Sequence, residues 1–367
     1  MTKEIVLIIW LLLNAVKDYV DCMAAKFIRQ GTLLFLALSM HKMFLPLILV
    51  VLAFFSCNND EGDEVLSAPP YDKLTDSISD FPKNPGLYYK RGRLLFANGQ
   101  PERAEKDLRK AWTLQPREEY GLSLTTVLKQ KSVDTAVLFL QHEALKKLPE
   151  SIAFRIALAR GFQQKKLWNE AMEVCKEITD RYPAQLDALM LQAELLKEQD
   201  KDAEALTILE KAYGYAPGDP EVAHALAFDY AEAKNPKALR LADSLIRADA
   251  GQRHAEPYYF KGVYFENIGN KQEAIRFFDE ATRHDYYFLD AYMDKGSVLY
   301  DSKNFADALK TFQLAATITP TYAEAYYWIG KTQEAMGNKG EAKLNYQRAF
   351  GLDKEMTEAK EAADRLK

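Results

Sequence analysis

Five histidines and three cysteines are the residues of this 367-residue chain best suited to act as nucleophiles, general bases or metal ligands. A zinc site or an activated nucleophile needs such residues close together, as in an HExxH or CxxC pair. Neither pair occurs in the sequence. The residues beyond the amino-terminal 57 are His142, His224, His254, His284 and Cys175. Because they are scattered, the sequence predicts no catalytic residue, no metal site and no bound cofactor.

Composition and charge narrow the function classes further. The chain is 48% hydrophobic and 12% aromatic, which is enough apolar surface for a large core. Its net charge of -5 disfavours nucleic acid as a partner, because nucleic-acid binding relies on clustered positive charge. No GxxxxGK phosphate-binding loop is present. The sequence therefore predicts a folded, non-enzymatic protein.

The most apolar part of the chain is its amino-terminal segment, where two interpretations compete. It could hold membrane-spanning helices, or a signal peptide preceded by an overlong translated extension. The first apolar stretch, from Ile5 to Leu13, is shorter than the roughly 20 residues that cross a hydrocarbon core. The second apolar run is interrupted by His41 and Lys42. These breaks favour a signal peptide, with the true start at Met1, Met40 or Met43 left open.

From Met40 the sequence reads MHKMFLPLILVVLAFFSC, with a short basic start, an apolar stretch and a small residue before Cys57. This segment resembles a bacterial lipoprotein signal, although Phe54 stands where that family usually has leucine. The resemblance implies that Cys57 becomes the lipidated first residue of the mature protein. The acidic run at residues 58–64 resembles the surface-export signal of some Gram-negative lipoproteins. We therefore expect a cell-envelope protein of the outer membrane, facing the periplasm or the exterior.

A repeat of about 34 residues occupies most of the remaining chain. A small residue of each first helix recurs at intervals of 67, 34, 34, 35, 34 and 34 residues. Twelve positions later most units have a second small residue, so two helix backbones can approach closely. The first set is Gly92, Ala159, Ala193, Ala227, Gly262, Gly296 and Gly330, and the second is Ala104, Ala171, Ala205, Ala274, Ala308 and Ala342.

These features resemble the tetratricopeptide repeat. The resemblance implies an all-α, right-handed superhelical solenoid of about eight helix-turn-helix repeats. Two units depart from the pattern, since Thr126 stands at the small position of the second and Ala238 comes one place early in the fifth. The predicted organisation is 1–56 signal peptide with extension, 57–84 lipidated Cys57 and linker, units at 85–118, 119–151, 152–185, 186–219, 220–254, 255–288, 289–322 and 323–356, and a capping helix at 357–367.

The same resemblance implies a concave surface that binds protein or peptide ligands. In tetratricopeptide proteins it is lined by positions 2, 5, 9 and 12 of each first helix. Tyr, Met and acidic residues stand there, not the Lys/Asn clamp of chaperone-binding members. The predicted groove residues are Tyr89, Arg93, Phe96, Ile156, Arg160, Met190, Glu194, His224, Phe228, Tyr259, Glu266, Met293, Tyr300, Tyr327, Lys331 and Glu334.

The leading hypothesis is a lipid-anchored scaffold that assembles proteins of the cell envelope. One alternative is a glycan- or peptidoglycan-binding outer-membrane lipoprotein, because an outer-membrane carbohydrate-capture family also uses tetratricopeptide helices and aromatic platforms. This chain lacks the long insertions that form that family's sugar site. A second alternative is a cytoplasmic adaptor whose amino-terminal 57 residues act as a membrane anchor.

Overall fold

The computed structural model describes residues 63–249, 251 and 254–366, which form nineteen helices and no strand. In chain order they are α1 (Asp63–Ser67), α2 (Asp72–Asp80), α3 (Pro85–Ala97), α4 (Pro101–Leu114), α5 (Glu118–Lys131), α6 (Val133–Phe139, then a π-helical segment Leu140–Ala144 and a last turn Leu145–Lys147), α7 (Ile152–Gln164), α8 (Trp168–Arg181), α9 (Leu186–Lys197), α10 (Asp202–Tyr215), α11 (Pro220–Glu232), α12 (Lys237–Ala248), α13 (Glu256–Asn267), α14 (Lys271–His284), α15 (Leu289–Asp301), α16 (Phe305–Ile318), α17 (Ala323–Ala335), α18 (Lys339–Leu352) and α19 (Thr357–Arg365). None of these helices is long and apolar enough to cross a membrane. The predicted signal peptide and Cys57 lie outside the described residues.

From α3 to α18 the helices pack as antiparallel pairs, and each pair packs against the next. Local sequence signals determine where several of the helices begin. The side chains of Asn84, Ser151 and Asp219 accept hydrogen bonds from backbone N–H groups in the first turns of α3, α7 and α11. Proline occupies the first turn of α3 and α11, where its missing N–H is not needed. The chain therefore enters these first helices where short polar residues and proline favour a helix start.

Where the small residue of a first helix is glycine, it makes room for a large side chain sixteen positions later on the second helix. A Cβ added at Gly262 would come within 2.5 Å of the Phe278 ring, and one at Gly330 within 2.8 Å of Tyr346. Phe278 is fully buried and Tyr346 nearly so. The close approach is thus between a glycine backbone and a buried ring, which keeps each pair at a fixed separation.

The second helix pair departs from the predicted register. Thr126 is exposed, whereas Thr125 is buried and donates its hydroxyl to the carbonyl oxygen of Gly121 at 2.8 Å. The buried small position is therefore Thr125, one residue earlier than expected from spacing. In α6 the π-helical segment brings Glu143 to within 2.7 Å of the Trp112 indole nitrogen, which donates to it.

The segment before the first repeat is helical where a linker was expected. Helix α2 packs on α3 and α1 packs on α2, and Tyr71 and Ile78 are buried. The Arg91 guanidinium donates to both Asp107 carboxylate oxygens, at 2.6 and 2.8 Å, and to the Thr75 hydroxyl at 2.9 Å. This buried ion pair joins α2, α3 and α4. We call α1 and α2 together the amino-terminal collar.

The far end of the array is covered by α19, which packs against α18 through Ala359 and Ala363. Between the ends, three hydrophobic clusters follow one another along the chain, with smaller ones beside them. Ala238 of α12 is fully buried, so the fifth pair keeps a small residue at its helix crossing despite the shift by one place. The core is therefore distributed along the stack of helix pairs.

Candidate partner-binding groove

Side chains of successive first helices touch one another across the array. The Arg160 guanidinium on α7 lies 3.1 Å from the Glu194 carboxylate on α9, and their positions differ by 34 residues. The Tyr259 hydroxyl on α13 donates to Asp294 on α15 at 2.8 Å, across 35 residues. We call the side chains of α3, α5, α7, α9, α11, α13, α15 and α17 that share this surface the inner face.

The predicted groove residues are on these first helices, and all but one reach the surface. Arg93 and Arg160 are exposed, and thirteen others are partly buried. Met293 is the exception, because it is only 6% exposed and packs in the third core cluster. Tyr259 occupies the equivalent position of the preceding unit, where its hydroxyl keeps the ring at the surface. Methionine has no polar end, so it turns into the core and offers little contact area.

At the amino-terminal end, the inner face carries a small aromatic group. The Tyr89 and Tyr120 rings lie 4.7 Å apart between centroids. The Arg93 guanidinium lies 5.7 Å from the Tyr89 ring centroid. Phe96 is partly buried against the first core cluster. This end therefore offers aromatic surface next to a cation that the chain itself supplies.

A groove of about 620 Å³ lies on the inner face around α7. Ile156 and Arg160 both line it, together with Glu118 and Asp187 from the neighbouring units. The floor is aliphatic, and Arg160 is paired with Glu194. The groove therefore combines apolar contact area with charges that are largely satisfied within the chain.

The middle of the inner face holds a cation against a ring. The Lys197 ammonium lies 2.5 Å from the Asp229 carboxylate and 5.3 Å from the Phe228 ring centroid. Burial raises the pKa of Asp229, and Lys197 opposes that rise. Met190 is partly buried in the adjoining core, and a ring nitrogen of His224 lies 2.7 Å from the carbonyl oxygen of Pro220. Lys197, Phe228 and Asp229 thus form a satisfied group.

Farther along, rings occur beside carboxylates, and among the described residues no cation forms an ion pair with Glu266 or Asp294. The Phe228 and Tyr259 rings are nearly parallel, 6.4 Å apart and inclined by 12°. Burial and the nearby Asp294 and Asp301 carboxylates raise the pKa of Glu266 to about 7. Burial raises the pKa of Asp294 to about 6, although the Tyr259 hydroxyl lowers it. These carboxyls are therefore held in a site that disfavours their charged form.

In the last two units, charged side chains again have partners within the chain. Tyr300 and Trp328 contact edge to face, with centroids 5.7 Å apart, and the Lys331 ammonium lies 4.1 Å from the Trp328 centroid. Glu334 accepts hydrogen bonds from the Tyr346 hydroxyl at 2.9 Å and from Arg365 at 3.0 Å. Tyr327, 5.6 Å from the Tyr346 ring, has a pKa raised by burial.

Sequence reasoning missed several inner-face residues. Asp294 and Trp328 stand at the sixth position of their helices, and Asp229 at the tenth, outside the four positions used for the prediction. The signal was available, because position 6 follows position 2 by four residues and precedes position 9 by three, which places all three on one helix face. Lys197 stands at position 12 and could have been included.

Of the histidines and the cysteine considered for catalysis, His224 and His254 lie together, with ring centroids 6.1 Å apart. No group of three or more His, Cys, Asp or Glu residues that could hold a metal occurs among the described residues. Cys175 is fully buried, and burial raises the pKa of its thiol to about 12. A buried, protonated thiol is a poor nucleophile, so Cys175 acts as a small core side chain.

Comparison with repeat models agrees with this geometry. Models described as tetratricopeptide repeat match residues 85–118, 187–218, 255–285 and 323–356, and one described as TPR repeat matches residues 296–337. The chain carries tetratricopeptide repeats. These matches fall on the regular helix pairs, with none at the second pair, where Thr125 shifts the register. No curated protein sequence matches the chain.

Solved tetratricopeptide structures are similar in fold. A tetratricopeptide repeat protein from Parabacteroides merdae is 15% identical with a TM-score of 0.50, over 77% of this chain and 98% of its own. The Cut9–Hcn1 hetero-tetramer of the APC/C is 15% identical with a TM-score of 0.49, over 80% of this chain and 58% of its own. The predicted fold class, a tetratricopeptide solenoid, is confirmed. This fold supports a protein-interaction scaffold.

Proposed function

We propose that this chain is a non-enzymatic scaffold of the cell envelope that binds protein or peptide partners on its inner face. The observation that carries the proposal is the row of partly exposed rings and charged side chains running from Tyr89 to Glu334 on a repeated tetratricopeptide frame. Aromatic and arginine side chains supply large contact area at limited entropic cost, which suits protein recognition. The residues vary between units, as recognition of a particular partner requires.

The second part of the proposal is a lipid anchor at Cys57, which would place the protein at the outer membrane. It is supported by the apolar stretch, the small Ser56 and the cysteine that follows it. Two or more acyl chains would bind a membrane stably, since each buried methylene contributes about 0.8 kcal/mol. Radiolabelled palmitate should enter the parent protein and be absent from a Cys57→Ala variant. Equal labelling of the two proteins would contradict the anchor.

Site-specific photocrosslinking in cells tests the inner-face assignment. A photoreactive phenylalanine replaces Ile156 or Tyr300 on the inner face. In matched controls it replaces Leu314 or Leu344, which are exposed on the second helices α16 and α18. We expect discrete crosslinked protein bands from the two inner positions and none from the controls. Bands of the same size and intensity from all four positions would contradict binding at the inner face.

A further inference from the structure

The middle of the carboxyl-terminal half of the inner face combines ring surface with carboxylates from three successive first helices. We call Phe228, Glu232, Tyr259, Glu266 and Asp294 the acidic aromatic strip. Phe228 and Glu232 lie on α11, Tyr259 and Glu266 on α13, and Asp294 on α15. The two rings are partly exposed and nearly parallel. The strip is thus a continuous surface that crosses three repeats.

The charges of this strip are not balanced by the chain itself. Glu232, Glu266 and Asp294 form no ion pair with any described residue. Lys271 lowers the pKa of Glu266, and its effect is smaller than that of the surrounding acids. Carboxylates that repel one another on a partly buried surface destabilise the fold, and such costs are retained mainly at functional sites.

The flanking parts of the inner face show how the rings and carboxylates of such a strip are paired with a cation. On one side the Lys197 ammonium contacts Asp229 at 2.5 Å and lies over the Phe228 ring at 5.3 Å. On the other side the Lys331 ammonium lies over Trp328 at 4.1 Å. An ammonium next to an aromatic ring is therefore already used twice within this surface. Phe228 thus already has its cation, whereas no cation among the described residues lies over the Tyr259 ring.

We propose that the acidic aromatic strip binds a lysine- or arginine-bearing segment of the partner protein, with the cation between the carboxylates and the Tyr259 ring. This inference rests on the proposed scaffold function and specifies the chemistry of its partner. The carboxylates come from three successive first helices, so a chain segment that extends across repeats can neutralise them together.

The binding test uses the full-length chain in a nonionic detergent and a short fluorescent peptide of alternating lysine and alanine. Peptides with acetyl-lysine or glutamate in place of lysine serve as probes of charge. We expect the lysine peptide to bind at least about tenfold more tightly than either counterpart, since one charge-assisted hydrogen bond is worth a comparable factor. Equal binding of the lysine and acetyl-lysine peptides would overturn the proposal.

A matched pair of variants locates the binding. The double variant Glu266→Gln/Asp294→Asn should lose about tenfold in affinity for the lysine peptide, which corresponds to one such contact. Its midpoint of thermal unfolding should stay equal or rise, because repulsion is removed. The control Glu173→Gln/Glu177→Gln removes the same number of acids from the exposed side of the second helix α8, away from the inner face, and should stay within about twofold of the parent. Equal losses in the two double variants would overturn the proposal.

The two proposals fail in distinguishable ways. If Ile156 and Tyr300 crosslink to proteins in cells but the peptide results are negative, the scaffold function stands and the basic partner is wrong. If no inner-face position crosslinks, the scaffold function itself is contradicted.

Discussion

In the amino-terminal half of the inner face, charged groups find partners within the chain. Arg160 pairs with Glu194 at 3.1 Å, and the Gln163 amide donates to Glu198 at 2.8 Å. In the carboxyl-terminal half, Glu266 and Asp294 have no ion-pair partner among the described residues, and both have raised pKa values. The surfaces of the two halves therefore differ in how their charge is balanced.

Beneath these surfaces the two halves use the same frame, by which we mean the buried contacts between paired helices. Ala171 and Ala308, at equivalent places in α8 and α16, are both fully buried. The contrast shows that the tetratricopeptide core sets helix positions, while inner-face residues are free to differ from unit to unit. Four predictions test this separation of frame and surface.

The largest effect is expected from a charge placed in the shared frame. Ala171→Asp and Ala308→Asp should each destabilise their region by about 3–5 kcal/mol, because an unpaired carboxylate would lie between two helices. Circular dichroism melts give the change, with Ala306→Asp, an exposed site on α16, as the control. If only one buried variant were destabilised, the two halves would not share one frame.

A smaller effect should distinguish the two halves by the side chains that pack against the glycines of their first helices. Gly296→Ala would press against the fully buried Phe312 ring and should cost about 1–3 kcal/mol through overpacking. Gly92→Ala would meet the flexible Leu108 side chain at 2.9 Å, and the gain of about 1 kcal/mol in helix propensity offsets much of its cost. Thermal melts of the two variants should differ in this order. A larger loss for Gly92→Ala would contradict it.

The pH dependence of stability should separate the two surfaces. The folded pKa of Glu266 is raised from 4.5 to about 7, so its penalty is full above that value and disappears as pH falls toward 4.5. Asp294, Asp301 and Glu232 raise this pKa and Lys271 lowers it. Glu266→Gln should therefore be more stable than the parent by on the order of 1 kcal/mol near pH 8, after allowance for solvent screening.

That difference should shrink as the pH falls below about 7 and vanish below about pH 4.5, where Glu266 is protonated in both the folded and the unfolded protein. Denaturant unfolding at several pH values measures it. Glu194→Gln is the matched control, because it removes an ion pair and gains no stability at any of these pH values. A parent and a Glu266→Gln variant of equal stability throughout would contradict the unbalanced charge.

The smallest effect is expected at the paired surface. Arg160→Ala removes a half-exposed ion pair with Glu194 and should change stability by no more than about 0.5 kcal/mol. The midpoint of thermal unfolding is the measurement. A loss above about 1 kcal/mol would show that this pair supports the frame, which would weaken the separation between frame and surface.

Much of the frame could be predicted from sequence because its constraints are local and periodic. The small residues Gly262 and Ala274 are twelve residues apart, as are their counterparts in most other units, so spacing alone identified the helix pairs. Three features could not be predicted from the spacing. The π-helical segment of α6 and the burial of Thr125 depend on how Trp112 and its neighbours pack. The position of the collar depends on an ion pair between α3 and α4.

The inner face was predicted in part. The position of a residue along a helix indicates which side of the helix it is on, but not how deeply its side chain is buried. Met293 was placed by position, yet an apolar side chain can turn inward where Tyr259 cannot. Asp294 was missed because it stands at the sixth position, and its raised pKa depends on acids from neighbouring units that no local pattern relates.

The collar determines how far the array can stand from whatever holds its amino-terminal end. The chain from Cys57 to Asp63 can extend at most about 20 Å. From Asp63 on, the chain is mostly helical, and Arg91 bonds the collar to the first repeat through Thr75. A lipid at Cys57 would therefore keep the first unit beside the membrane, and the distance a partner is held from the lipid would be set by which repeat it binds.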